Sequence, residues 1–314
     1  MMLEYTEKEI IKTAAQILEN DELKITPVGN HHLKRHLVYH LTDREGLSLI
    51  FKLYYKSNRW NREVATLKIL KDSNIKAPLL YNYGKLDDGT EWIMTQHIDG
   101  YPLVDVIEIL SHQDKLNIFQ EMGEQLGQLH TFKEFEFFGN WNENGQILNK
   151  DKNYYGRVKQ GTEKMIEKVL NAHYPEIKLH KNAANVIRNN YHLIADIKEF
   201  HLCHNDFDDR NVLVRKEDGK WKLAAVIDFE QSYPGNKDID FTSLYQKFFL
   251  DHQYLEKAFL SGYQEYSKMR DDFKDRLDFY LLRTGMSICS FAYTQAPDYY
   301  QRAVALLERI LDKK

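Results

Sequence analysis

Three polar side chains at fixed intervals carry the most legible chemistry in this 314-residue chain. Asp206 lies in the run His204-Asn205-Asp206-Phe207-Asp208-Asp209-Arg210-Asn211, and a second acid follows in Val226-Ile227-Asp228-Phe229-Glu230. An acid, an amide and a second acid suit phosphoryl transfer: one carboxylate orients a hydroxyl and accepts its proton, while oxygen ligands nearby hold a divalent ion.

The segment between the two clusters predicts how they meet. Val212-Leu213-Val214 and Leu223-Ala224-Ala225-Val226-Ile227 flank the polar turn Glu217-Asp218-Gly219-Lys220. An Asp-Gly step between apolar runs is a hairpin signal. A hairpin brings its open ends together, so Asn211 and Asp228 should be neighbours and could share Mg2+, which prefers one or two protein carboxylates and fills its octahedron with water and phosphate oxygens. Asp206, on the same loop as Asn211, is the candidate base.

This pattern resembles the catalytic loop of the aminoglycoside phosphotransferase and choline kinase superfamily, whose members share the protein-kinase fold. The resemblance implies an α+β, bilobal architecture with a small antiparallel-sheet lobe and a large, mainly helical lobe. By it, Asp206 is the base, Asn211 and Asp228 are magnesium ligands, and His204 braces the loop. Arg210, just before Asn211, could touch a phosphate or neutralise nearby acids.

Such a loop needs a nucleotide lobe in front of it. After a helix around Thr6 to Leu18, residues Leu23 to Tyr55 read as three antiparallel strands broken at Pro27-Val28-Gly29-Asn30 and Thr42-Asp43-Arg44-Glu45-Gly46. The third strand places Ile50 and Lys52 on one face and Leu49, Phe51 and Leu53 on the other. Alone, Lys52 could simply snorkel to water. The helical pattern Asn61 to Lys71, however, puts Glu63 on one stripe with Leu67 and Leu70. A buried acid requires a counter-charge, and Lys52 supplies one; kinases use such a pair to hold nucleotide phosphates.

The first turn has a single glycine, so phosphate contact there falls to backbone amides or to Asn30. A strand pair, Leu79 to Gly84 and Glu91 to Gln96, leads into His97-Ile98-Asp99-Gly100. That stretch resembles the family's hinge, which implies adenine recognition by backbone groups of Gln96, His97 and Ile98, with Met94 at the back of the pocket and Ile50 as a wall. The expected division is a nucleotide-binding lobe over residues 1–97 and a catalytic, substrate-binding lobe over 98–314.

The second lobe reads as helical. Leu116, Phe119, Gly123, Leu126 and Leu129 mark one helix ending near His130, a packed or hydrogen-bonded histidine. Helical stretches are expected at Gly161 to Ala172, Asn182 to Phe200, Phe241 to Leu250, Tyr254 to Tyr266, Phe273 to Phe291 and Tyr299 to Leu311. Only Phe229 to Ile239 separates Asp228 from Asp240, too short for the activation segment with which protein kinases present a peptide, and an Ala-Pro-Glu anchor is missing. A small-molecule hydroxyl acceptor is therefore expected.

Asp208, Asp209, Glu230, Asp238 and Asp240 admit two readings. They could gather negative potential that draws an amine-bearing acceptor, or Asp208 and Asp209 could shape the turn while Asp238 or Asp240 caps a helix.

Composition sets outer bounds. With 43 Lys and Arg against 47 Asp and Glu, and a formal charge of −4, the basic excess of a nucleic-acid binder is missing. The two cysteines have no ligand spacing and read as reduced core thiols. No basic-apolar leader and no membrane-length apolar run is seen, which favours a cytoplasmic enzyme with no membrane partner. The combined expectation is a Mg2+-dependent phosphotransferase using ATP or GTP, with an aminoglycoside-like antibiotic as the favoured acceptor. Choline, homoserine or a sugar is the metabolic alternative, and a nucleotide-binding pseudokinase the non-enzymatic one. The oligomeric state is left open.

Overall fold

The computed structural model describes residues 5–29, 31, 36–57, 59–148 and 153–313. Helix α1 (Glu7–Leu18) starts where Thr6 and Glu9 cap one another's backbone amides. Strands β1 (Lys24–Pro27), β2 (Leu37–Thr42) and β3 (Ser48–Leu53) follow, then α2 (Trp60–Leu70), β4 (Leu80–Lys85) and β5 (Glu91–Gln96). The five strands form one antiparallel sheet in the order β1-β2-β3-β5-β4.

Alternation divides the residues of this sheet between its faces. Tyr39, Leu41, Leu49, Phe51, Leu53, Trp92 and Met94 pack with Ile10 and Ala14 of α1. Val38, Ile50, Lys52, Ile93 and Thr95 share the opposite face, because the register pairs Val38 and Ile93 with Lys52, and Thr95 with Ile50. Met94 is thus corrected as a pocket residue: paired with Phe51 and fully buried, it belongs to the α1 core and not to the back of a cleft. Asn30 lies outside the described residues.

Beyond His97 the chain makes β6 (Tyr101–Pro102), α3 (Leu103–Val106) and the long α4 (His112–Phe132), capped by Ser111. There follow β7 (Glu134–Phe135), α5 (Tyr154–Asn171), α6 (Ile177–Asn189), β8 (Phe200–Cys203), β9 (Val212–Glu217), β10 (Lys220–Val226) and β11 (Tyr233–Gly235). Next come α7 (Thr242–Leu244), α8 (Gln253–Gln264), α9 (Phe273–Gln295) and α10 (Pro297–Leu311). No helix among the described residues is long and apolar enough to cross a membrane.

The expected hairpin is β9–β10, with Lys220 opposite Glu217 and Val226 opposite Val212, and β6 adds a third strand along β9. A second small sheet, β11-β8-β7, supports the start of the 204–211 loop. The helix expected over Asn182 to Phe200 is corrected: α6 begins at Ile177 and ends at Asn189, and Phe200 opens β8 because it pairs with Phe135 of β7. The helix expected over Phe241 to Leu250 is also irregular. A 3-10 turn, Lys237–Phe241, runs into α7 and then a π turn, Tyr245–Phe249.

Helices α4 and α8 cross at glycine on both sides. A Cβ on Gly123 would lie 1.9 Å from the Phe259 carbonyl oxygen, and one on Gly262 would lie 2.1 Å from that of Gln120. This close approach puts α4 against the core beneath the catalytic hairpin, where Phe119, Met122, Phe207 and Val226 belong to one apolar cluster.

Candidate active site

The hairpin closes as its turn requires: the Ile227 amide donates to the Asn211 carbonyl at 2.9 Å. Asn211 and Asp228 therefore flank the two feet of one ribbon. Asp228 takes a left-handed backbone conformation (φ 65°), as does Asn205 (φ 61°). Non-glycine residues seldom adopt this conformation; Asn205 immediately precedes Asp206, and Asp228 immediately follows the second foot of the hairpin.

Asp206 is held from two sides. The Arg210 guanidinium donates to its Oδ1 at 3.2 Å and Asn211 Nδ2 to its Oδ2 at 3.2 Å; Asn211 also donates to the Asp206 carbonyl at 2.8 Å. Burial, then the charge on Asp208, raises the Asp206 pKa above its ordinary value, with Arg210 pulling the other way. His204 is fully buried, with Nε2 3.0 Å from the Ile227 carbonyl, so it ties the loop to the far foot of the hairpin.

Opposite the hairpin stands Lys52, whose Nζ lies 2.9 Å from Glu63, 2.7 Å from Asp228 and 3.2 Å from Glu230. Strand β3 delivers the lysine and α2 delivers Glu63, which also accepts the Tyr54 hydroxyl. Burial alone would lower the Lys52 pKa, but Asp228 and Glu63 hold it well above the usual lysine value, and the ammonium stays charged. Carboxylate oxygens of Glu63, Asp228 and Glu230 lie within 4.8 Å of one another. Lys52 Nζ already bridges these three carboxylates; Asp228 with the Asn211 amide oxygen across the ribbon offers the oxygen donors a hard divalent cation prefers.

At the opening toward α3, Ile50 is half-buried on the face that carries Lys52. The Gln96 amide donates to Leu79 and the His97 amide to Ser48, whereas the Ile98 amide has no partner among the described residues. The His97 ring stacks on His40 with centroids 3.8 Å apart, and its Nδ1 is 3.1 Å from Ser48 Oγ.

A family model for the APH phosphotransferase enzyme family matches residues 31–271. The chain belongs to the phosphotransferase enzyme family. Its fold is that of solved aminoglycoside phosphotransferases. APH(4)-Ia superposes with a TM-score of 0.74 at 13% identity, covering 98% of this chain and 99% of that one. A ternary complex of a thermostable APH(4)-Ia mutant with ADP and hygromycin B gives 0.73 at 13% identity, over 96% and 98% of the two chains. The GDP complex of aminoglycoside 2'-phosphotransferase-IIIa gives 0.69 at 13%, over 98% and 99%. No curated protein matches. This member of the phosphotransferase family thus has the bilobal kinase-like α+β architecture.

The acids around the loop answer the question of charge. Asp208 is buried against Arg210 and Lys247 Nζ (2.6 and 2.9 Å), and Asp209 against the same lysine. Burial pushes the Asp208 pKa up, but bonds from Arg210 and then Lys247 bring it below the ordinary value. Asp238 is buried against Arg276. Asp240 receives the amides of His204 (2.8 Å) and Asn205 (2.5 Å) and faces His130 at 2.9 Å. Neither Asp238 nor Asp240 is the helix cap; Asn236 caps that turn. Asp208, Asp209 and Asp238 are ion-paired inside the protein and Asp240 is buried in hydrogen bonds, so the four give no open negative surface. Asp240, Lys247 and Glu230's contact with Lys52 are the site features that sequence reasoning did not assign.

Proposed function

We propose that this chain moves the γ-phosphoryl group of ATP or GTP onto a hydroxyl of a small molecule. The observation that carries this reading is that Asp206, held by Arg210 and Asn211, feels the charge of Asp228, which Lys52 pairs at 2.7 Å across the hairpin mouth. Asp206 acts as the base: it orients the hydroxyl, and its raised pKa favours proton acceptance. Arg210 and Lys52 supply positive charge for the transferred phosphoryl oxygens. Asn211 and Asp228 would hold Mg2+, which neutralises phosphate charge when bound. His204 positions the loop. The unpartnered Ile98 amide and the Gln96 carbonyl are the base-recognition groups, beneath Ile50 and beside His97, and the lobe boundary falls after His97. The nucleotide complexes of the structural relatives support this donor.

A small acceptor is supported by the short link from Asp228 to Asp240, which is taken up by a 3-10 turn and β11. Likeness to aminoglycoside phosphotransferases supports an aminoglycoside-like antibiotic. The internal pairing of Asp208, Asp209 and Asp238 favours a second reading, in which the acceptor is a metabolite such as choline, homoserine or a sugar and need not be polycationic. A panel of these acceptors, incubated with Mg2+ and γ-labelled ATP or GTP, tests both readings. Label on an aminoglycoside favours the first and label on a metabolite the second; nucleotide binding without transfer to any acceptor rejects the enzyme reading.

A further inference from the structure

Basic side chains from three different parts of the lobe converge on Glu230. Its Oε2 lies 2.7 Å from His36 Nε2 and 3.2 Å from Lys52 Nζ, and its Oε1 lies 3.8 Å from Arg59 Nη1. His36 stands at the entry to β2, Lys52 is within β3, and Arg59 immediately precedes α2. Arg62, one turn along α2, bonds Asn140 and Gln231 and also feels the Glu230 charge.

Structural need does not explain this arrangement. Lys52 is already satisfied by Glu63 and Asp228, and a third carboxylate is surplus to it. His36 Nδ1 and Arg59 Nη1 are buried with no hydrogen-bond partner among the described residues, so both side chains have unspent hydrogen-bonding capacity. The first turn of α2, which Arg59 precedes, has no side-chain cap.

We propose that His36 and Arg59 are phosphate contacts for the bound nucleotide, and that Glu230 is an internal anion filling their site until a polyphosphate replaces it. The inference rests on the phosphotransferase reading above and extends it to residues outside the Lys52–Glu63 pair. Phosphate oxygens match guanidinium and imidazole donors better than one carboxylate can, because they offer more acceptors at once. Exchange of one anion for another leaves no cation unpaired.

Calorimetric binding without turnover tests the proposal, with sodium tripolyphosphate in the absence of metal, Mg–AMP-PNP, Mg–GMP-PNP, adenosine and guanosine as probes. His36→Leu and Arg59→Leu should each weaken tripolyphosphate and the preferred triphosphate analogue by roughly tenfold or more, with nucleoside binding unchanged. Glu230→Gln, nearly isosteric and so retaining the fold, should tighten metal-free tripolyphosphate binding because the competing anion is gone. Should Arg59→Leu not fold, Arg59→Gln reads the same contact. Unchanged or weaker tripolyphosphate binding by Glu230→Gln, or parental affinity in the His36 and Arg59 variants, overturns the proposal and leaves the phosphotransferase reading intact. A parent chain that binds no nucleotide and no polyphosphate overturns both.

Discussion

Asp240 receives the backbone amide of His204 at 2.8 Å, a hydrogen bond spanning 36 residues. Its other oxygen takes the Asn205 amide, and His130 of α4 closes the arrangement from behind with the Tyr263 hydroxyl on its far nitrogen. The loop that presents Asp206 is therefore fastened at its base by a buried acid.

Removal of that fastening should cost both stability and turnover. Asp240→Ala leaves the His204 amide and the His130 ring buried without their acceptor, which should destabilise the fold by about 3–5 kcal/mol. Loss of loop position should lower kcat by roughly a hundredfold, with a smaller effect on nucleotide KM. Urea unfolding and steady-state kinetics check the two parts separately.

Lys52→Met should act on both the fold and nucleotide binding. Glu63 is 5% exposed and would lose its cation while keeping the Tyr54 hydroxyl. Destabilisation of about 3 kcal/mol is expected, together with a large rise in nucleotide KM. Chemical denaturation and nucleotide titration read these out.

The α4–α8 crossing makes a test of the fold alone. Gly123→Ala drives a methyl group into the Phe259 carbonyl at a place where both partners are backbone. It should cost at least about 3 kcal/mol by overpacking. Ala at Gly161, where nothing lies within 4 Å of an added Cβ, should be tolerated or mildly stabilising. Thermal melts of the two variants give the comparison.

His180 should set an acid limit on stability. The imidazole is fully buried, neither ring nitrogen has a hydrogen-bond partner among the described residues, and burial lowers its pKa below the ordinary 6.5, with Glu176 pulling the other way. The unfolded chain therefore binds this proton more readily than the folded one. Stability is unaffected above pH 6.5 and falls as pH drops from 6.5 toward the folded pKa, by at most about 1.4 kcal/mol per pH unit. Urea midpoints should lose this part of their pH dependence in His180→Phe.

How much of this was legible follows from the range of each interaction. The β9–β10 hairpin and the approach of Asn211 to Asp228 could be read because the Asp218-Gly219 turn and its flanking apolar runs are local. Lys52 and Glu63 could be placed because strand and helix periodicities each expose a charge on a buried side. Met94 was misplaced by one residue of alternation, which in a strand reverses the face. Strand β8 was missed because its four residues follow a helical pattern and take their identity from β7 and β11. The pairing of Asp208 with Lys247 and of Asp238 with Arg276 spans 39 and 38 residues, and no local pattern announces it. Charge counting along the loop therefore leaves two readings open, and the fold closes Asp208, Asp209 and Asp238 into ion pairs.

In the proposed mechanism Asp206 handles the acceptor proton and Asp228 the metal-bound nucleotide. Single-turnover phosphoryl transfer by Asp206→Asn and Asp228→Asn, with Mg–nucleotide affinity measured in parallel, separates the two roles. Asp206→Asn should slow transfer by roughly a hundredfold or more with affinity almost unchanged, while Asp228→Asn should lose affinity as well. Transfer at the parental rate in Asp206→Asn, or the reverse ordering of the two variants, would contradict it.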